Sequence, residues 1–177
     1  MRIIYYFLIA LAVFEFLFGV FIAWTFIKGA PWAPTRKEKV HKMFSMANIK
    51  QNELVYDLGC GDGRVLVIAA KQYNARAVGI EIDPIRYLWC KIRILVLGLG
   101  KRVDVKFGDF FNTNLSDADI VICYLSQKTN EKLQSKLKEE LQPNARIVSN
   151  LFTFSDLNLK SKDENLKIYA YDMDSQK

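Results

Sequence analysis

Between Val55 and Arg64 an apolar run passes through three glycines at alternate positions, Gly59, Gly61 and Gly63, and continues into a helical pattern. Glycine in such a turn tolerates positive φ and lets the backbone approach a bound molecule closely. The helix that follows offers its N-terminal amides to that molecule. From Glu53 onward short apolar runs alternate with helical stretches. The expected strands are 53–58, 76–81, 102–107, 118–124, 145–152 and 166–173, and the expected helices are 63–73, 84–97 and 127–141. Near-continuous apolar strands alternating with helices specify an α/β fold with a doubly wound, mostly parallel sheet. Ligands of such sheets bind at the carboxyl ends of the strands. That rule singles out Asp57 to Gly63, Glu81, Asp109 and Cys123 to Ser126.

The glycine spacing narrows the ligand. A dinucleotide site reads G-x-G-x-x-G, which from Gly59 would need glycine where Arg64 stands. The third glycine is Gly63, and an acid, Asp57, precedes the loop. Carboxylates around the turn suit a cation better than a pyrophosphate, and S-adenosylmethionine carries both an ammonium and a sulfonium. Glu81 ends the second strand, where a carboxylate can accept both hydroxyls of a ribose. Asp109 ends the third, where it can accept from an adenine amino group with Phe110 packing nearby. Each acid alone reads equally well as a helix cap; three at successive strand ends read as a site.

Other features exclude function classes. The chain has 177 residues, three cysteines and one histidine. Three cysteines cannot form a disulfide scaffold. Without C-x-x-C or a second histidine no metal site is expected. Cys60, Cys90 and Cys123 read as reduced, small apolar residues. His41 reads as structural or solvated. Thr35 and Glu38 stand at capping-box spacing ahead of an amphipathic helix over 35–48. Asp83 before Pro84 reads as a helix cap. The formal charge is +6, yet no interleaved aromatic and basic patch accompanies it, so no nucleic-acid partner is expected.

The 25 residues from Ile3 to Ile27 contain only Glu15, Gly19 and Thr25 that are not apolar. At ~1.5 Å per residue this length would span a ~30 Å hydrocarbon core. The reading is a transmembrane helix, with Tyr5, Tyr6 and Trp24 near its ends and Glu15 at mid-depth. Lys28, Arg36, Lys37, Lys39 and Lys42 follow it, which places the C-terminal domain on the cytoplasmic or matrix side of a cell or organelle inner membrane. Pro31-Trp32-Ala33-Pro34 reads as a stiff linker. The expected organisation is an anchor over 1–28, a linker and helix over 29–48, and the catalytic domain over 49–177.

The run from Asp57 to Tyr124 resembles the class I S-adenosylmethionine-dependent methyltransferases. Asp57-Leu58-Gly59-Cys60-Gly61-Asp62-Gly63 is similar to their glycine motif, and Glu81 and Asp109 match their ribose and adenine acids. The resemblance implies a Rossmann-like methyltransferase sheet. It implies a cofactor site built from Asp57, Gly59, Cys60, Gly61, Gly63, Glu81, Ile82, Asp109, Phe110 and Tyr124. A narrower similarity, over 31–154, is to the membrane-anchored lysine methyltransferases that modify the ATP synthase c ring protein and the adenine nucleotide translocase. It adds Pro34 and Thr35, from a segment that closes over the cofactor, and implies a protein acceptor lysine in a membrane-embedded substrate beside the lipid bilayer. By position, Tyr124 is the candidate wall of the acceptor pocket. A lipid or quinone methyltransferase and a non-catalytic S-adenosylmethionine-binding module are the alternatives. After the fifth strand the tail has room for a loop, 155–165, and one strand.

Overall fold

The computed structural model describes residues 2–28 and 34–173, without the side chains of Ile3 and of residues 21–28. The expected linker residues Pro31, Trp32 and Ala33 and the ring of Trp24 lie outside the described residues. The chain divides into two compact units, Met1–Pro31 and Trp32–Lys177.

The first unit contains one helix, α1 (Arg2–Lys28). Its described side chains from Ile4 to Val20 are exposed. Among the described residues no helix is long and apolar enough to cross a membrane. This overturns the expected transmembrane helix and the single-pass membrane location. Glu15 stands inside α1, and an ionisable side chain at such a depth is costly in hydrocarbon.

The second unit is a seven-stranded sheet with helices on both faces. In chain order it contains α2 (Lys37–Ala47), β1 (Leu54–Leu58), α3 (Arg64–Gln72), β2 (Arg76–Glu81), α4 (Pro84–Val96), β3 (Val103–Phe107) and β4 (Ile120–Cys123). It ends with α5 (Gln127–Glu140), β5 (Arg146–Asn150), β6 (Leu159–Asp163) and β7 (Ile168–Asp172). The strand order is β3-β2-β1-β4-β5-β7-β6. The first five strands are parallel, and β7 pairs antiparallel with both β5 and β6.

Alternation along the strands divides the core in two. Val55, Ile122 and Val148 face a layer closed by Val40, Met43 and Phe44 of α2, Leu66 and Ala69 of α3, and Cys90 and Ile94 of α4. Tyr56, Leu58, Val121 and Ile147 face Leu133 and Leu137 of α5 on the other side. Arg146 ties α2 to the sheet. Its guanidinium donates to the carbonyls of Ala47 and Asn48 and pairs with Glu53 at 2.6 Å.

Three local expectations need correction. The capping box does not form: α2 begins after Arg36, with no side-chain cap, and the Thr35 carbonyl instead accepts from Arg64 at 2.8 Å. The tail adds two strands rather than one. Residues 159–163 read as loop because Leu-Lys-Ser-Lys-Asp shows no apolar face, and four of the five are exposed. Lysines on an exposed edge strand of this kind discourage pairing with another chain. The fifth strand stops at Asn150 because Leu151 turns to φ 75°. The Asp83 cap forms as expected, accepting from the amides of Ile85 and Arg86.

Gly79 in β2 lets α3 and the glycine loop lie against the sheet. A Cβ there would stand 2.6 Å from Leu66 Cδ1 and 2.7 Å from Cys60 Sγ. Gly79→Ala is expected to destabilise the protein by about 1–3 kcal/mol, which a thermal melt reads as a Tm lowered by several degrees.

Candidate active site

The loop between β1 and α3 is built on positive φ: 83° at Gly59, 54° at Gly61 and 73° at Gly63. The amides of Gly59 and Cys60 both donate to the Ile80 carbonyl, which seats the loop over the end of β2. Gly63 is also sterically required, since a Cβ there would lie 2.4 Å from Cys90 Sγ.

Three carboxylates surround this loop and are handled differently. Glu81 is 4% exposed. One of its oxygens accepts from the Gly61 amide at 2.8 Å and the other from the Asp83 amide at 3.0 Å. It is therefore the pin that joins the loop to β2, and each oxygen keeps a second lone pair for a ligand hydroxyl. Asp62 accepts from Arg64 at 2.9–3.3 Å and from Arg93 at 3.0 Å. Burial works against its ionisation, but the hydrogen bonds and charges of these arginines outweigh that and hold its carboxyl below the usual range.

Asp57 is the exception. It is 5% exposed, and among the described residues no hydrogen bond reaches its carboxylate. Burial, then the charges of Glu81 and Asp62, push its pKa up to about 8. A buried acid without a partner, beside two further carboxylates, favours a cation strongly. The ammonium and sulfonium of S-adenosylmethionine meet that demand, so the chain's own charges fit the cofactor.

The remaining expected residues surround this centre. The Gly108 amide donates to the Glu81 carbonyl at 3.0 Å, which places Asp109 beside the end of β2. One Asp109 oxygen accepts from the Phe111 amide at 2.9 Å, so Asp109 is a cap with its other oxygen uncommitted. Phe110 lies against Phe111, with ring centroids 4.8 Å apart. Ile82 is half-buried. Thr35 reaches the loop through Arg64, whereas Pro34 is exposed. Tyr124 is half-buried just past β4. On the α4 side of the loop, Gly61, Asp62, Ile85, Arg86 and Trp89 line a cleft of about 310 Å³.

Sequence reasoning missed Arg64 and Arg93 as the counter-ions of Asp62, because their pairing is set by the α3–α4 packing. It also missed Asn150. The register pairs Leu58 with Cys123 and Cys123 with Ser149. Asn150 ends β5 one position beyond this aligned set, and Gly59 and Tyr124 follow Leu58 and Cys123 directly in the chain. Asn150 is 1% exposed, and its Oδ1 accepts from Lys39 Nζ of α2 at 3.2 Å.

A doubly wound sheet with the order seen here, a glycine loop over β1 and acids at the ends of β1, β2 and β3 defines an S-adenosylmethionine-dependent methyltransferase. The family model of the ANTKMT methyltransferase domain matches residues 57–161, and the chain belongs to that family. It is 36% identical over 154 residues to a protein-lysine N-methyltransferase of Saccharolobus islandicus, covering 83% of this chain and 96% of the relative. It is 28% identical to the adenine nucleotide translocase lysine N-methyltransferase of Mus musculus over 81% of this chain, and spans 63% of that protein's length. Among solved structures it resembles a Salinibacter ruber chain described as an RNA methyltransferase in complex with S-adenosyl-L-homocysteine. That match has a TM-score of 0.76 and 33% identity, over 80% of this chain and 94% of the other.

Asp57 gives a pH dependence with a definite sign. Its folded pKa is raised, so its contribution to stability is complete below the unfolded value and is lost as pH rises through about 8. In cofactor-free protein, melts between about pH 4 and pH 8 should show stability falling with pH, and Asp57→Asn should flatten that slope. The same substitution should weaken S-adenosylmethionine binding by roughly tenfold to a hundredfold, measured by calorimetry, because a charge-assisted contact is lost.

Proposed function

We propose that the protein transfers the methyl group of S-adenosylmethionine to the ε-amino group of a lysine in another protein. The observation that carries this reading is the 36% identity to a protein-lysine N-methyltransferase that this chain matches over 96% of its length. The short β4–α5 connection, Tyr124 to Ser126, supports it. No insertion covers the carboxyl edge there, and a macromolecular acceptor can approach. A membrane-embedded acceptor was expected from the resemblance to the lysine methyltransferases of the ATP synthase c ring protein and the adenine nucleotide translocase, and the similarity to relatives of those names is the support it keeps.

In this reading Asp57 holds the cationic part of the cofactor, Glu81 accepts from the ribose hydroxyls and Asp109 from the adenine amino group. The loop amides after Gly59 position the chain around it. When bound, S-adenosylmethionine supplies an electrophilic methyl on a sulfonium. The acceptor lysine must lose its proton before it can act as a nucleophile, although its free pKa is ~10.4. Enclosure beside a positive sulfonium lowers that value. The protein's part is then alignment of the amine with the methyl, since an in-line displacement depends chiefly on position.

The test is incubation with methyl-labelled S-adenosylmethionine and an extract from cells lacking the protein, with Glu81→Ala as control. Acid hydrolysis should recover the label as methyl-lysine, and the variant should reduce it by at least about a hundredfold, the loss expected when cofactor and acceptor are no longer aligned. The similarity to a chain described as an RNA methyltransferase gives the second reading its support. Label in RNA, with none in methyl-lysine, would replace the lysine reading with that one.

A further inference from the structure

The carboxyl edge of the sheet holds a lysine already, and it belongs to the chain itself. Lys39, in the first turn of α2, directs its ammonium to Oδ1 of Asn150 at 3.2 Å. Asn150 lies two residues beyond Val148 in β5, and Asp57 two beyond Val55 in β1. By strand alternation both side chains face the layer that α2 and α3 cover. Two strand spacings separate Asn150 from Gly59, about 10 Å. A lysine ammonium therefore sits on a neutral amide oxygen one strand beyond Tyr124 and two beyond the cofactor loop.

The turn that presents Asn150 is fixed from several sides. Ser149 Oγ donates to the Phe152 carbonyl at 2.6 Å, and Asn130 Nδ2 donates to Ser149 Oγ and to the Phe152 carbonyl at 3.2 Å each. The Leu151 amide donates to the Lys167 carbonyl at 2.7 Å. Leu151 itself holds φ at 75°, a conformation that costs a leucine on the order of 1–3 kcal/mol and persists only where the surroundings impose it. Strain of this kind concentrates where a side chain must be aimed.

We propose that Asn150 is the positioning residue that receives the amine of the acceptor lysine, and that Lys39 occupies its place until the substrate displaces it. The proposal rests on the lysine reading above. The choice of amide over carboxylate follows from the chemistry. A carboxylate would bind an ammonium more tightly, but it would also hold the proton that the amine must lose. An amide oxygen accepts from either protonation state and leaves the nitrogen free to become neutral. In the transfer, the amine gives its proton to water and its lone pair bonds to the methyl carbon. The carbon–sulfur bond breaks with its electrons remaining on sulfur, and S-adenosylhomocysteine is released.

The probe is Nα-acetyl-lysine amide, titrated by NMR into the full chain saturated with S-adenosylhomocysteine. Lys39→Met keeps the length of the side chain and removes its amine, and should tighten binding of the probe by about tenfold. Adding Asn150→Ser to that variant should abolish the gain, whereas Asn150→Asp should increase it. On a methylated protein substrate, Asn150→Asp should lower KM and kcat together, a split that a merely structural residue would not produce. Binding unchanged by Lys39→Met, or a gain that survives Asn150→Ser, would overturn the proposal. Failure of the lysine reading registers separately, as label in RNA instead of methyl-lysine in the extract experiment.

Discussion

The site depends on one buried acid. Asp57 stands one residue before the end of β1, buried, with Glu81 and Asp62 nearby and no hydrogen bond from the described residues. Removing a carboxylate from water without a partner is costly, and the group responds by taking up a proton. This arrangement lies at the carboxyl end of the parallel strands, the edge where such sheets bind their ligands. The other two acids are neutralised within the fold, Glu81 by two backbone amides and Asp62 by two arginines. The contrast leaves Asp57 as the acid of the three that the fold itself does not pair among the described residues.

The loop and the segment before the sheet are mechanically linked. Arg64 opens α3 and reaches both Asp62 and the Thr35 carbonyl. Thr35 leads into α2, whose first turn carries Lys39 to Asn150 and whose last turn is held by Arg146. The glycine loop, α2 and the end of β5 are thereby joined by a continuous set of hydrogen-bonded side chains.

Much of this was readable from residues alone, and the divisions have physical causes. The parallel strands were legible because strands buried on both faces are continuously apolar, as in Leu54-Val-Tyr-Asp-Leu58 and Ile120-Val-Ile-Cys123. The acids at the strand ends were legible because sheet topology alone puts them together. β6 was not, because an exposed edge strand of lysines and aspartate carries no hydrophobic signal. Neither was the α2 start, because Arg64 takes the Thr35 carbonyl through a contact 29 residues away. The pairing of Lys39 with Asn150 joins residues 111 positions apart and depends on register that no local pattern encodes. The apolar N-terminal segment misled in the other direction: composition alone suggested a span that the described helix does not provide.

If Asp57 is held protonated, ready to ionise against a cationic cofactor, binding must expel its proton. That release can be read directly by calorimetric titration of S-adenosylmethionine into the protein at about pH 7, in buffers of different ionisation enthalpy. With a folded pKa of about 8, close to one proton should leave per cofactor bound, and Asp57→Asn should release none. Binding heats that do not depend on the buffer in the wild-type protein would mean that Asp57 is already ionised, and the role given to it here would be wrong.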